Sequence, residues 1–296
     1  MAIMNPIISV VLPTFNRVEL LQKQLNALSN QTLESHLYEI IVVNDGSSDA
    51  TFELLNEWKA KYSNRVVLHL ENGGPAKARN AGVAAAKGEY IAFTDDDCIV
   101  AADWLFEIYI AFLKYPVIAL QGRTTTDRDN RTPLTHQIEN LSFRSLTVTC
   151  NAAIKKSAFE QAGGFSTEFA FAHNEDTELS WKLNEIGLTE FIPSMHVFHP
   201  PILKSFTSQV KRMRLLASEF TLYRLQPTSY IQYRNHGPWQ TIFLEVGLYH
   251  FLRNIKFSLG FYKKPKQLFI GLGLQVISQL YLLSLIPYFI KASKEV

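Results

Sequence analysis

Residues 89–97 read Glu89-Tyr90-Ile91-Ala92-Phe93-Thr94-Asp95-Asp96-Asp97. An apolar run of strand length stops at three adjacent carboxylates. Three like charges side by side repel one another, and they persist where a hard divalent cation or bound water offsets them. In extended backbone alternate side chains point the same way, so Asp95 and Asp97 are expected to share a face. One carboxylate then suits a ribose hydroxyl, and the other a Mg²⁺ or Mn²⁺ ion bridging two phosphates. Alone, the triplet also reads as a solvated acidic turn.

The same pattern occurs three more times upstream. Ile7–Leu12 runs into Pro13-Thr14-Phe15-Asn16, Glu39–Val43 into Asn44-Asp45-Gly46-Ser47, and Val66–Leu70 into Asn72-Gly73-Gly74. Helical patterns separate these runs. Val18, Leu21, Leu25 and Leu28 fall at helical spacing. Ser48 or Asp49 can cap a helix carrying Phe52, Leu55 and Trp58. Pro75 suits a first helical position before the alanine-rich Ala76–Ala86. Strands alternating with helices through short loops predict an α/β fold, with a mostly parallel central sheet flanked by helices. Such sheets bind ligands at the carboxyl ends of their strands, where all four polar clusters lie.

Downstream, residues 123–147 are polar and weakly periodic, as a mobile loop would be. Thr147–Ile154 is expected to be a strand, and Lys155–Ala162 a helix stopped by Gly163-Gly164. Glu175-Asp176 opens a helix with Leu179 and Leu183 on one face. Phe191–His199 predicts a last short strand before Pro200-Pro201.

Composition adds an asymmetry. Of the 296 residues, 47% are hydrophobic and the net charge is +2, which implies a packed core and excludes wholesale disorder. Residues 1–204 carry 17 basic and 24 acidic side chains, whereas 205–296 carry 12 basic and only 3 acidic. That division predicts an acidic body, 1–204, and a basic, apolar helical tail, 205–296. A tail both basic and apolar suits a membrane surface better than nucleic acid. Leu268–Ile290 contains no charged residue. It is long enough to cross a bilayer as a single pass, which takes about 20 residues. Gln275, Gln279, Pro287 and its serines suit an in-plane, monotopic hairpin equally well. Cys98 and Cys150 form neither a disulfide framework nor a zinc pattern. Met1–Pro6 lacks the features of a signal peptide, so the body is expected at the cytoplasmic face.

Several side chains have the right chemistry for a site. Glu175 and Asp176 open a helix, where the dipole alone favours carboxylates, but either also suits a general base acting on a hydroxyl. His199 is either structural or a further metal ligand beside Asp97. Asp45 can accept from a pyrimidine N–H, or simply serve its turn. Arg79 can donate to a base carbonyl, or be a helix-face cation.

Six segments together resemble a known family. They are Pro13-Thr14-Phe15-Asn16-Arg17, Val43–Asp49, Gly73–Asn80, Phe93–Asp97, Asn151–Ile154 ahead of Gly163-Gly164-Phe165, and Glu175–Leu179. In this order they resemble glycosyltransferase family 2, of the GT-A fold, over about residues 5–200. The resemblance implies inverting transfer from a nucleotide-sugar donor to a glycan or lipid-linked acceptor. It implies that Pro13, Thr14, Asn16, Asp45 and Arg79 meet the nucleotide, with Asp95 near the ribose and Asp96 beside it. Asp97, with His199, would hold Mg²⁺ or Mn²⁺. Asp176 would be the catalytic base with Glu175 beside it, and Asn151 would line the donor-sugar or acceptor pocket. One departure is Lys155-Lys156, where the family's pair is Arg-rich, because lysine is the poorer bidentate phosphate clamp. Two alternatives use the same residues. A sugar nucleotidyltransferase requires a Gly-rich basic loop after the first strand, and Pro13–Asn16 is not one. A non-catalytic nucleotide-sugar-binding scaffold on a membrane has no need of Asp95, Asp97 and Asp176 together.

Overall fold

The computed structural model describes residues 5–142, 149–169 and 172–295. They fall into two compact units. The first comprises Met1–Thr126, Ile138–Thr167 and Glu175–Pro200, and the second Asp127–Gln137, Glu168–Asn174 and Pro201–Val296. The division expected at 204/205 lies at 200/201, and the helical unit also draws in two short segments of the preceding chain.

In chain order the first unit holds β1 (Ile8–Thr14), α1 (Val18–Ser29), β2 (Tyr38–Asn44), α2 (Thr51–Lys59), β3 (Arg65–His69), α3 (Pro75–Ala85) and β4 (Tyr90–Phe93). There follow β5 (Ile99–Val100), α4 (Trp104–Lys114), β6 (Ala119–Thr125), then, after β7 (Thr135–His136) of the second unit, β8 (Ala152–Lys155), α5 (Lys156–Gln161), α6 (Glu175–Ile186) and β9 (Thr189–Phe198). The eight strands form one sheet in the order β3-β2-β1-β4-β8-β6-β9-β5. The first four run parallel, β8 is antiparallel to both β4 and β6, β6 and β9 are parallel, and β5 returns antiparallel. The strand expected over Thr147–Ile154 is shorter and later, because Thr149–Asn151 forms a 3₁₀ turn. Residues 143–148 of the expected loop and strand lie outside the described residues.

Every residue of β1 and β2 is buried, as a strand covered on both faces requires. Their side chains alternate between two cores. Val10, Leu12, Ile40 and Val42 pack with Leu21, Leu25 and Leu28 of α1 and Trp104 and Ile108 of α4. Val11, Ile41 and Val43 face the other way, onto Ala78 and Val83 of α3, Phe159 of α5 and Leu179 and Leu183 of α6. Each buried leucine of α1 contributes about 1.5–3 kcal/mol, an upper figure given a compact unfolded chain.

Two local devices set the strand ends. A Cβ on Gly82 would lie 2.5 Å from Val11 Cγ1, so only glycine lets α3 lie this close to β1. Asp49 then closes two helix starts at once. Its Oδ1 accepts from Thr51 N–H and its Oδ2 from Val18 N–H, both at 3.1 Å. The N-cap of α2 is Ala50, one residue past the expected Ser48 or Asp49, but Asp49 still satisfies the first N–H of both α2 and α1.

The second unit is helical apart from β7 paired antiparallel with β10 (Ile202–Leu203). It contains α7 (Phe206–Lys211), a 3₁₀ segment Arg212–Ala217, α8 (Ser218–Leu225), α9 (Pro227–Arg234) and α10 (Pro238–Gln240). A π-helical stretch, Thr241–His250, leads into α11 (Phe251–Leu259), followed by α12 (Pro265–Ser284) and α13 (Ile286–Ser293). Its core comprises Leu216, Phe220, Ile242, Leu282, Leu285 and Phe289.

Candidate active site

The parallel strands β1, β2 and β4 deliver three of the polar clusters to one edge of the sheet, and the loop after β3 brings the fourth. Beyond β1, Thr14 Oγ1 donates to Asp96 Oδ2 at 2.9 Å. Pro13, just before it, is buried in the strand. Asn16 adopts φ 52°, a left-handed conformation that asparagine tolerates. Its Oδ1 accepts from Ser48 N–H at 2.7 Å and its own N–H donates to Ser47 Oγ at 3.0 Å. Asn16 therefore ties the β1 end to the β2 end. Asp45 does the same for the next pair. Its two carboxylate oxygens accept from Gly73 N–H at 2.8 Å and Gly74 N–H at 2.9 Å. In this structure Asp45 shapes the loop ahead of α3 with both oxygens.

The acidic triplet departs from the expected geometry. The backbone turns at Asp96 and Asp97, so Asp95 and Asp97 do not share a face by strand alternation. Asp95 Oδ1 faces α3 and accepts from Arg79 Nη2 at 2.8 Å. Asp96 and Asp97 form the closer pair, bridged by Arg17 Nη1 at 2.8 Å and 2.7 Å. Burial pushes the Asp96 carboxyl up to about 6, with Arg17 opposing and Asp97 adding to the rise. Arg17 was not among the residues singled out from the sequence, although it closes the Pro13–Arg17 segment. Gln24 was missed as well. It is wholly buried on α1, donates to Thr94 Oγ1 at 2.9 Å and accepts from Val100 N–H at 3.2 Å, fixing both sides of the acidic loop.

Arg79 joins the triplet to α6. It is buried, and besides Asp95 it reaches Glu175 Oε1 at 3.5 Å. Burial works against its charge, but Asp95 and Glu175 more than offset that and raise its pKa. Glu175 is pushed up to about 7 by burial and then by the charge of Asp176, with Arg79 holding it back. Its Oε2 is buried without a hydrogen bond among the described residues. Asp176 is half-buried, and its Oδ1 accepts from Thr177 N–H at 2.8 Å. Removal from solvent raises its carboxyl too. A pair of carboxyls with raised affinity for protons is suited to general base work near neutral pH.

At the end of β9, His199 is buried beside Asp97, with Nε2 3.7 Å from Asp97 Oδ1. Its Nδ1 lies 3.0 Å from the Pro200 carbonyl oxygen. A proton on Nδ1 satisfies that carbonyl and leaves the Nε2 lone pair facing the carboxylate. Ligand atoms of Asp97, Cys98 and His199 lie within 4.8 Å of one another. Contact with Cys150, then burial, keep the Cys98 thiol protonated far above its ordinary range, so it adds no thiolate. A carboxylate, an imidazole and neighbouring carboxylates fit a hard divalent cation such as Mg²⁺ or Mn²⁺.

Asn151 is the residue whose placement differs most from its expected one. It is fully buried. Its Nδ2 donates to the Arg123 and Met195 carbonyls, both at 3.0 Å, and its Oδ1 accepts from Trp104 Nε1 at 2.9 Å. Both of its amide hydrogens and one lone pair of its oxygen are used to tie β6, β9 and α4 together. Lys156 is likewise committed, donating to the Ala86 carbonyl at 2.7 Å.

Polar strand ends and an acidic loop, with a buried arginine joining that loop to a carboxylate-headed helix, sit on an α/β sheet like that of the GT-A fold. The profile of glycosyl transferase family 2 matches residues 9–175, and the chain belongs to that family. It is 41% identical over 104 residues to the poly(ribitol-phosphate) beta-glucosyltransferase of Bacillus spizizenii, a match covering 34% of this chain and 16% of that protein. It is 30% identical over 171 residues to glycosyltransferase AglE of Haloferax volcanii, covering 54% of this chain and 56% of the relative. These matches thus span well under two thirds of either relative's length. Among solved structures, S. aureus TarS 1–349 in complex with UDP aligns with a TM-score of 0.59 at 18% identity, over 99% of this chain and 92% of TarS 1–349. Mannosyltransferase PcManGT of Pyrobaculum calidifontis, in complex with GDP-Man and Mn²⁺, aligns with a TM-score of 0.61 at 19% identity, over 95% and 88%.

Proposed function

We propose that the chain is an inverting glycosyltransferase. It would move a sugar from a uridine or thymidine diphosphate donor to a hydroxyl of a lipid-linked or envelope glycan. The observation that carries this reading is the Arg79 bridge. One buried guanidinium holds Asp95 of the acidic loop at 2.8 Å and Glu175 of α6 at 3.5 Å, so nucleotide-side and acceptor-side carboxylates converge. Asp176 takes the proton from the acceptor hydroxyl. The freed oxygen attacks the anomeric carbon as the bond to the diphosphate breaks, and a single displacement inverts that carbon. No covalent enzyme intermediate is needed, so no Ser or Cys nucleophile is assigned. Asp97 and His199 would hold a divalent cation, which supplies neutralisation of charge on the leaving diphosphate. Pro13, Thr14, Asn16 and Asp45 shape the nucleotide end, and Asp95 and Asp96 the ribose end. The poly(ribitol-phosphate) beta-glucosyltransferase relative supports a glycan-polymer acceptor, and the UDP and GDP-Man held by the structural neighbours support a nucleotide-sugar donor.

A donor screen tests the reading. The full chain with UDP-glucose, UDP-GlcNAc, dTDP-glucose and GDP-mannose, each with and without Mn²⁺, should gain thermal stability with a uridine or thymidine donor. Ligand at a hundred times Kd stabilises by about 2.7 kcal/mol. No Mn²⁺-dependent shift with any donor would favour the binding scaffold or sink the site altogether.

We infer further that residues 205–296 lie in the plane of an anionic membrane surface. Phe269, Val276, Leu280 and Leu283 form an exposed stripe along α12, and Leu244 and Leu248 of the π-helical stretch continue into Leu252 of α11 as another. Lys263, Lys264 and Lys266 cluster at the turn between α11 and α12. α12 is long and apolar enough to cross a membrane. Its tight seat supports the in-plane arrangement instead, because a Cβ on Gly271 would lie 2.5 Å from Ser258 Oγ of α11. Apolar stripes rimmed by lysines suit the headgroup boundary. Sedimentation with vesicles of phosphatidylcholine plus phosphatidylglycerol should carry the chain down, and Leu280→Asp should weaken that. Equal recovery in the supernatant with and without vesicles would refute the inference.

A further inference from the structure

Arg79 spans the acidic loop and α6, yet its hydrogen bonds alone do not fix it. Its Nη2 has Asp95 at 2.8 Å, its Nη1 reaches Glu175 only at 3.5 Å, and its Nε is buried with no hydrogen-bond partner among the described residues. A contact of 3.5 Å is at the long limit for a hydrogen bond and does little to hold the guanidinium plane. An aromatic ring supplies the rest. Arg79 Cζ lies over the Phe165 ring, 5.5 Å from its centroid, and Phe165 is 2% exposed. That is within cation–π reach, and such a contact strengthens away from water.

The ring is itself held from two sides. It packs edge-on against Phe93 of β4, with centroids 5.4 Å apart, and against Phe159 of α5 at 5.5 Å. The backbone of the same residue is clasped by Asn80, the neighbour of Arg79 on α3. Asn80 Oδ1 accepts from Phe165 N–H at 3.0 Å, and Asn80 Nδ2 donates to the Phe165 carbonyl at 2.8 Å. A side-chain amide can do both because it carries a donor and an acceptor side by side. The clasp depends on the Gly163-Gly164 turn. Gly164 has φ 71°, and a Cβ there would lie 2.9 Å from Asn80 Oδ1. Two successive residues of α3 thus grip one residue, Asn80 by its backbone and Arg79 by its ring. Every one of these groups, with Asp95 and Glu175, belongs to the first unit.

We propose that Asn80 and Phe165 are positioning residues that act through Arg79: Asn80 fixes the Phe165 ring, and the ring seats the guanidinium that spans Asp95 and Glu175. The assignment rests on the reading of Glu175 and Asp176 as acceptor-side carboxylates. A cation held only at its tips tilts away from its weaker partner, and here that partner is Glu175. The charged groups around Glu175 are Asp176, Arg79 and Asp95. Loss of the seat therefore takes the positive charge of Arg79 from Glu175 first and leaves the two aspartates in place. Misplacing a catalytic group by about 1 Å can cost a hundredfold in rate.

Three variants of the full chain test the proposal. Phe165→Leu keeps an apolar side chain and removes the aromatic face. Asn80→Ala removes the clasp. Asn80 is half-buried on a helix, where alanine is the better helix former, so this variant keeps its fold. Arg79→Gln sets the full effect of the lost charge. The titration midpoint of the Glu175 side-chain carboxyl carbon is followed by nuclear magnetic resonance without any substrate, its signal assigned with Glu175→Gln. A merely structural role would lower the melting temperature and leave that midpoint alone. The midpoint should rise by about one pH unit or more in Arg79→Gln, as loss of an opposite charge requires. It should rise by roughly half as much in Phe165→Leu and Asn80→Ala, where the charge is loosened and not removed. With a donor from the screen, turnover should fall about tenfold to a hundredfold in both. If Phe165→Leu does not fold, Asn80→Ala decides alone. A wild-type midpoint in Asn80→Ala and Phe165→Leu overturns the proposal, whatever the donor screen returns, and so does one unmoved in Arg79→Gln. A raised midpoint without any donor activity would instead uphold the seat and count against the catalytic reading.

Discussion

Asp176→Asn is expected to lower sugar transfer by about 10²- to 10⁴-fold, the usual contribution of a positioned general base. Asparagine keeps the shape and can still accept from Thr177 N–H, but it has no basic oxygen. The donor-induced thermal shift should therefore survive while turnover is lost. Turnover within a few-fold of wild type would remove Asp176 from the mechanism. The pH dependence carries a second sign. A base works only when deprotonated, and both carboxyls of the pair are raised, Glu175 to about 7. Turnover should then climb with pH up to roughly neutrality, on a limb that belongs to the pair and not to one residue. Stability should move the opposite way. A carboxyl whose folded pKa is raised binds its proton more tightly in the folded chain, so stability drops as pH rises from the ordinary glutamate value toward about 7. Melting temperatures at pH 5 and pH 8 should fall less in Glu175→Gln than in wild type, and an equal fall would contradict this origin.

The alternation of periods made the first unit legible in advance. Ile7–Leu12 and Glu39–Val43 are read correctly because strands covered on both faces are largely apolar, and the apolar run in Val66–Leu70 marks the edge strand β3 beside them. The turn at Asp96-Asp97 was not legible, since three identical residues carry no period. Arg17 was passed over because a long cation has no fixed reach in sequence. Only the folded turn brings its Nη1 to Asp96 and Asp97. Asn151 shows the opposite case. Its position in a family-like segment suggested a ligand contact, whereas its amide satisfies two backbone carbonyls and the Trp104 indole, partners far apart in sequence.

Asp97→Ala should have the other large effect, and it separates two neighbours. Asp96 is engaged by Thr14 and by Arg17, whereas Asp97 meets Arg17 through Oδ2 and turns Oδ1 toward His199. The histidine's other nitrogen is directed to Pro200, so Asp97 and His199 present a pair of ligand atoms that Asp96 does not complete. Losing a metal ligand removes charge stabilisation worth several kcal/mol, which corresponds to about a thousandfold in rate. Mn²⁺ binding followed by electron paramagnetic resonance on the full chain reads this without turnover. Asp97→Ala should weaken Mn²⁺ binding far more than Asp96→Asn, and His199→Ala should fall between them. Arg17→Ala should act in the reverse direction when no nucleotide is present. Its guanidinium at 2.7 Å and 2.8 Å from the two carboxylates competes for the charge a cation would neutralise, so removing it should tighten Mn²⁺ binding. Equal binding by wild type and Asp97→Ala would move the cation away from this pair and leave the Asp97–His199 contact as structure alone.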